Sequence, residues 1–104
     1  MARKSKYGNI KTRVDGILFD SKKEARRYCE LKILEASGKI RGLTLQYPVS
    51  VTVNDKVLFK WVADFVYWEG RDRIFEDVKG VKTQVYRLKA KIIKIVLGIV
   101  VRET

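Results

Sequence analysis

The run 57–68, VLFKWVADFVYW, constrains this chain more than any other stretch. Alternate residues of a strand share a face, so Val62, Asp64, Val66 and Trp68 fall on one side. Trp61, Ala63, Phe65 and Tyr67 fall on the other. Both sides are apolar, which is the pattern of a strand in the middle of a sheet, covered on both faces. Asp64 interrupts that pattern. An ionised carboxylate taken out of water needs a partner, a cation or a changed protonation state.

The next apolar run, RIFEDVK at 73–79, ends at Gly80 and folds back through the turn Glu69-Gly70-Arg71-Asp72. With that turn, Trp68 faces Arg73, Val66 faces Phe75 and Asp64 faces Asp77. Carboxylates directly across from each other repel unless a cation lies between them. A divalent ion bound by both would turn the repulsion into a site. Lys79 shares a face with Asp77, where an ammonium can position the attacking water and neutralise charge on a phosphate. A three-residue turn, 69–71, would put Glu76 opposite Asp64 instead. Asp77 is preferred because it shares its face with Lys79, and Glu76 is the second choice. The competing reading is a plain Asp77–Lys79 ion pair on a half-exposed strand.

Composition narrows the chemistry. The chain has 104 residues, no histidine and one cysteine. That excludes an internal disulfide, a zinc cage and catalysis through a histidine base. An ion held here would be held by oxygen, which points to Mg2+ or Mn2+. The net charge of +11 points to a polyanionic partner, nucleic acid first. The first ten residues have no apolar core and no run is long enough for a membrane span, so a cytoplasmic protein without a membrane partner is expected.

In chain order, residues 1–13 read as a basic arm at the start of a single domain, 1–104. Asp15-Gly16 marks a tight hairpin between short strands near 11–14 and 17–19. Ser21-Lys22-Lys23-Glu24 is a capping box that opens a helix over 22–36, stopped near Gly38. Its apolar side is Ala25, Tyr28, Cys29, Leu31, Ile33, Leu34 and Ala36, with Cys29 read as a small core residue. Glu24 has two roles open to its side chain: capping the helix by reaching back to the Ser21 amide, or facing the site as a metal ligand. Residues 43–53 form a strand with Pro48 at an edge or bulge, and Asn54-Asp55-Lys56 is a turn. A second helix over 84–96 has the apolar stripe Val85, Leu88, Ile92 and Ile95. Gly98 stops it, and 99–102 is a final strand. The fold class is α/β (α+β), a mixed central sheet flanked by two helices.

Asp64 followed by Asp77-Val78-Lys79 resembles the PD-(D/E)xK nuclease motif. The order helix, β-hairpin, helix, strand is similar to the restriction-endonuclease-like core, and 19–99 resembles its small phage and bacterial members, junction-resolving endonucleases among them. Ala63 stands where that motif has proline. The resemblance implies that Asp64, Asp77 and the Val78 carbonyl bind one divalent ion. Glu24 with Asp64 would bind a second, and Lys79 would assist the attacking water. It implies a metal-dependent endonuclease acting on branched or double-stranded DNA in a phage or mobile-element setting, working as a homodimer. Candidate phosphate contacts are Lys22, Lys23, Arg26 and Arg27 on the first helix. Lys82, Arg87, Lys89 and Lys91, at and beyond the start of the second, join them. Gln46 is a candidate polar strand residue near the site. A non-catalytic basic nucleic-acid-binding module needs the charge without the acids and is the alternative; an acid-only nuclease that dispenses with Lys79 is a third.

Overall fold

A computed structural model describes residues 10–78 and 82–104. Its elements follow from short-range chemistry. Asp15 and Gly16 both have positive φ (51° and 76°), as a two-residue turn between right-twisted strands requires. They join β1 (Thr12–Val14) to β2 (Ile17–Phe19). Asn54 and Asp55, at φ 50° and 63°, do the same between β3 (Arg41–Val53) and β4 (Lys56–Glu69). Asparagine and aspartate tolerate this region better than other side chains. Gly70 at φ 63° turns β4 into β5 (Asp72–Asp77).

The first helix, α1 (Lys22–Ala36), starts where the Ser21 hydroxyl accepts from the Glu24 amide at 3.1 Å, a bond that satisfies one of the helix's free donors. The second, α2 (Gln84–Leu97), starts on Thr83 in the same way and ends at Gly98 in the left-handed region. A last short strand, β6 (Arg102–Glu103), pairs in parallel with β5. The result is a mixed α+β fold: a two-stranded sheet, a four-stranded mixed sheet in the order β3-β4-β5-β6, and two helices. Among the described residues no helix is long and apolar enough to cross a membrane.

The core lies between α1 and one face of the larger sheet. Phe19, Ala25, Tyr28, Leu31, Ile40, Phe65 and Tyr67 are buried together there. The Tyr28 hydroxyl, which donates to Asp15 at 3.0 Å, ties the β1–β2 hairpin to the helix. β4 is an interior strand, but only its second half is covered on both faces. Val57, Leu58 and Val62 in its first half are exposed. Pro48 sits opposite Val62 on β3, an edge strand of the sheet, the position where a strand tolerates proline.

Several expectations are corrected. Cys29 and Ile33 are exposed rather than core residues, because α1 presents the stripe Ala25, Tyr28 and Leu31 to the sheet. The second helix is turned about its axis relative to the expected one. Ile93 is its buried residue, while Val85, Leu88 and Ile95 are 62, 59 and 73 % exposed. Ile93 belongs to the opposite row from Val85, Leu88 and Ile95, so what packs inward is not the row with the most regular apolar spacing. The final strand lies at 102–103, later than 99–102.

Candidate metal centre

The β4–β5 hairpin has the register of the four-residue turn. Trp68 pairs with Arg73, Val66 with Phe75 and Phe65 with Glu76. The next step brings Asp64 and Asp77 together at the end of the pairing, and side chains take over from the ladder there. The Asp64 amide donates to Asp77 Oδ1 at 3.2 Å. The Val78 amide donates to Asp64 Oδ2 at 2.8 Å. Asp77 Oδ2 accepts from the Trp61 indole Nε1 at 3.1 Å. Each carboxylate is thus held by backbone or a rigid ring, which fixes its aim.

The two acids are an electrostatic liability as they stand. Asp77 is 1 % exposed and Asp64 is half-buried. Burial first, then the neighbouring charges of Asp77 and Glu24, push the Asp64 carboxyl up to about 7, against the Val78 amide bond that lowers it. A carboxyl raised by burial and by like charges is one that a cation would return to its ionised form. Glu24 is buried, and its carboxylate accepts from Gln46 Nε2 at 3.2 Å. Its backbone amide donates to the Ser21 hydroxyl, while its side-chain carboxylate bonds Gln46 and adds its charge to the surroundings of Asp64.

Gln46, a polar strand residue expected near the site, bonds Glu24, and Trp61 is the part of this arrangement that residue patterns did not single out. Gln46 lies between the pairs Leu45–Phe65 and Tyr47–Ala63, opposite Asp64, and has φ 52°. That backbone is rare for a non-glycine residue in a strand. It changes the face of the strand. Leu45 packs on the α1-side cluster, whereas Tyr47 lies against Phe75 on the other face. Trp61, nominally on the side of Phe65, also meets Phe75. Both strands therefore switch faces at the Gln46–Asp64 level. A glutamine within a run rich in apolar and β-branched residues was the sequence signal for it.

Glu76, the second-choice ligand, is committed elsewhere. It is 0 % exposed and accepts from Arg27 Nε at 2.7 Å and Nη2 at 2.9 Å. It also accepts from the Tyr67 hydroxyl at 2.6 Å and from Thr104 at 3.3 Å. The fork of Arg27 closes on this carboxylate, and Glu76 in turn raises the Arg27 pKa. Arg102 extends the network through Tyr67 and Glu69. This also corrects Arg27 as a phosphate contact, since its guanidinium is shared between Glu76 and Glu30. Lys82 is paired with Glu103 at 3.1 Å, and Lys89 lies over the Phe59 ring. Lys22, Lys23, Arg26, Arg87 and Lys91 are exposed. Lys79 lies outside the described residues.

The donor set fits a hard divalent ion with a partly hydrated shell. Among the described residues no group of three histidine, cysteine, aspartate or glutamate side chains converges as a closed cage. Magnesium characteristically takes one or two carboxylates and keeps several waters, and the Asp64–Asp77 pair offers donors of that chemical type.

A family model described as a protein of unknown function (DUF1064) matches residues 4–98 of the chain. No curated protein and no solved structure matches it.

Proposed function

This chain belongs to the DUF1064 family, and we propose that it is a metal-dependent DNA endonuclease of the PD-(D/E)xK type. The observation that carries this reading is the raised Asp64 carboxyl beside the fixed carboxylate of Asp77, on a chain of net charge +11. A basic binding module has no use for paired, poorly solvated acids.

In this reading Asp64, Asp77 and the Val78 carbonyl would hold one Mg2+ or Mn2+, and Glu24 with Asp64 would hold a second. The bound ions would supply electrostatic stabilisation of the charge that develops on the phosphate. The chain's own groups prepare that site. The Val78 amide orients Asp64 and the Trp61 indole orients Asp77. Gln46 steadies Glu24. Lys79 would place the attacking water. Exposed Lys22, Lys23 and Arg26 on α1, with Arg87 and Lys91 on α2, would meet phosphates. The substrate would be branched or double-stranded DNA.

Supercoiled plasmid and a four-way junction, each incubated with Mg2+ or with EDTA, test the activity. Cutting of either substrate only in the presence of the ion is the expected result. Binding without metal-dependent cutting of any substrate would return the protein to the class of basic binding modules.

The partner protein is a second copy. Val85, Leu88, Ile92 and Ile95 are spaced three, four and three residues apart, the spacing of a two-helix coiled-coil seam, with Val85 and Ile92 at one position and Leu88 and Ile95 at the other. On this protein most of that seam faces outward. Sedimentation velocity over a concentration series should show a dimer, and Leu88→Lys should dissociate it. A monomer at every concentration would remove the pairing. Like-charged protomers repel through solvent, so added salt should strengthen this dimer while weakening DNA binding.

A further inference from the structure

The face switch at Gln46 and Asp64 gathers the aromatic residues that α1 does not cover. Tyr47 meets Phe75 edge-on at 5.9 Å, and Trp61 lies 6.3 Å from the same ring. The Arg73 guanidinium stands 5.2 Å from both the Tyr47 and Trp68 rings and 5.9 Å from Phe75. Arg41 stands 5.3 Å from the far ring, Trp68. The four rings are half-buried and both arginines are exposed. The patch abuts the acid pair, because Trp61 is also the donor to Asp77.

A core would bury these rings, and a general phosphate-binding surface would need only the arginines. Half-open rings interleaved with guanidinium groups match a different ligand, the unpaired base. Its π-face stacks on aromatic side chains, and its phosphate pairs with arginine. In a duplex the base faces are already stacked on each other, and only phosphates and groove edges are presented. The positive charge of the chain suits the same ligand.

We propose that the Tyr47, Trp61, Trp68 and Phe75 face, with Arg41 and Arg73, binds unpaired nucleotides of a DNA strand. It would seat them beside Asp64 and Asp77. As a statement about substrate choice this rests on the nuclease reading, but the binding itself does not. Arg73 leaves the rings for the phosphate as bases take its place.

The two tryptophans of the chain, Trp61 and Trp68, both lie in this patch, so tryptophan fluorescence, excited beyond the tyrosine band, reports on it. The experiment titrates the full chain in EDTA with a short oligothymidylate and, separately, with a duplex of equal length, following fluorescence and anisotropy of labelled DNA. Quenching by the single strand and little by the duplex is expected. Arg73→Gln and Trp68→Leu should each weaken single-strand binding by about tenfold, the scale of one lost stacking contact. Their effect on duplex binding should be small, with circular dichroism confirming that both variants fold. Equal losses on both DNAs, or single-strand binding with no change in fluorescence, would overturn the proposal, as would no single-strand binding at all. EDTA separates the outcomes. Quenching without any cleavage activity upholds the patch and sinks the nuclease, and cleavage without quenching does the reverse.

Discussion

Asp64→Asn should lose at least about 100-fold of the metal-dependent cleavage of DNA, the scale of removing one group that stabilises a transition-state charge. The substitution keeps the shape and still lets the side-chain oxygen accept from the Val78 amide. It removes the charge that would hold the ion. Cutting at the parent rate would take Asp64 out of the chemistry.

The same variant has a stability signature that does not depend on activity. Folding moves the Asp64 carboxyl from its ordinary 3.8 to about 7. Between those values the folded protein holds a proton that the unfolded chain has released, so stability falls as pH rises. The contribution is complete below about pH 3.8 and is lost as pH rises through about 7. Asparagine does not titrate. In EDTA the variant should therefore melt higher than the parent above pH 7, with the gap closing towards pH 4. Mg2+ or Mn2+ should raise the melting temperature of the parent at pH 8 and leave the variant nearly unchanged, because an ion stabilises only the state that binds it. Parallel melting curves across this pH range would show that the acids are not under the strain their burial implies. A site that gives up stability for chemistry behaves in this way.

Glu76→Ala should cost about 3–5 kcal/mol, the range for breaking a buried ion pair from one side. The carboxylate is fully buried and takes two bonds from Arg27 and one from Tyr67. Removing it strands the guanidinium and the phenol without their acceptor. Arg27 is 21 % exposed and keeps Glu30, which places the loss towards the lower end. Against a typical total of about 5–15 kcal/mol for a domain of this kind, urea unfolding would then show a much reduced midpoint. Glu30→Ala is the internal control. That pair is half in solvent and should cost no more than about 1 kcal/mol. A loss at Glu76 as small as that at Glu30 would mean that the network is not holding α1 to the sheet. A metal ligand at Glu76 would show the opposite balance, with activity lost and stability kept.

Local chemistry explains why so much of the chain was legible. The Asp-Gly and Asn-Asp turns, the Ser21 cap and the Gly98 stop each act over a few residues, and each lies where its residue types require. The Asp64–Asp77 juxtaposition belongs with them, because Gly70 and Arg71 set a two-residue turn and the alternation of strand residues does the rest. What the sequence by itself determined was the hairpin and the pair of acids on it. Tertiary structure decided what surrounds them. Glu76 and Asp77 are neighbours of similar chemistry, yet one meets an arginine 49 positions earlier in the chain and the other an indole on β4. The outward turn of the Val85, Leu88 and Ile95 row and the exposure of Cys29 have the same origin. Periodicity says that a helix has an apolar side; which side is buried depends on the surface that the rest of the chain offers it. The face switch at Gln46 is the clearest case. One left-handed residue, rare in a strand, turns Tyr47 towards the aromatic patch, and strand alternation cannot anticipate it because alternation is the rule it breaks.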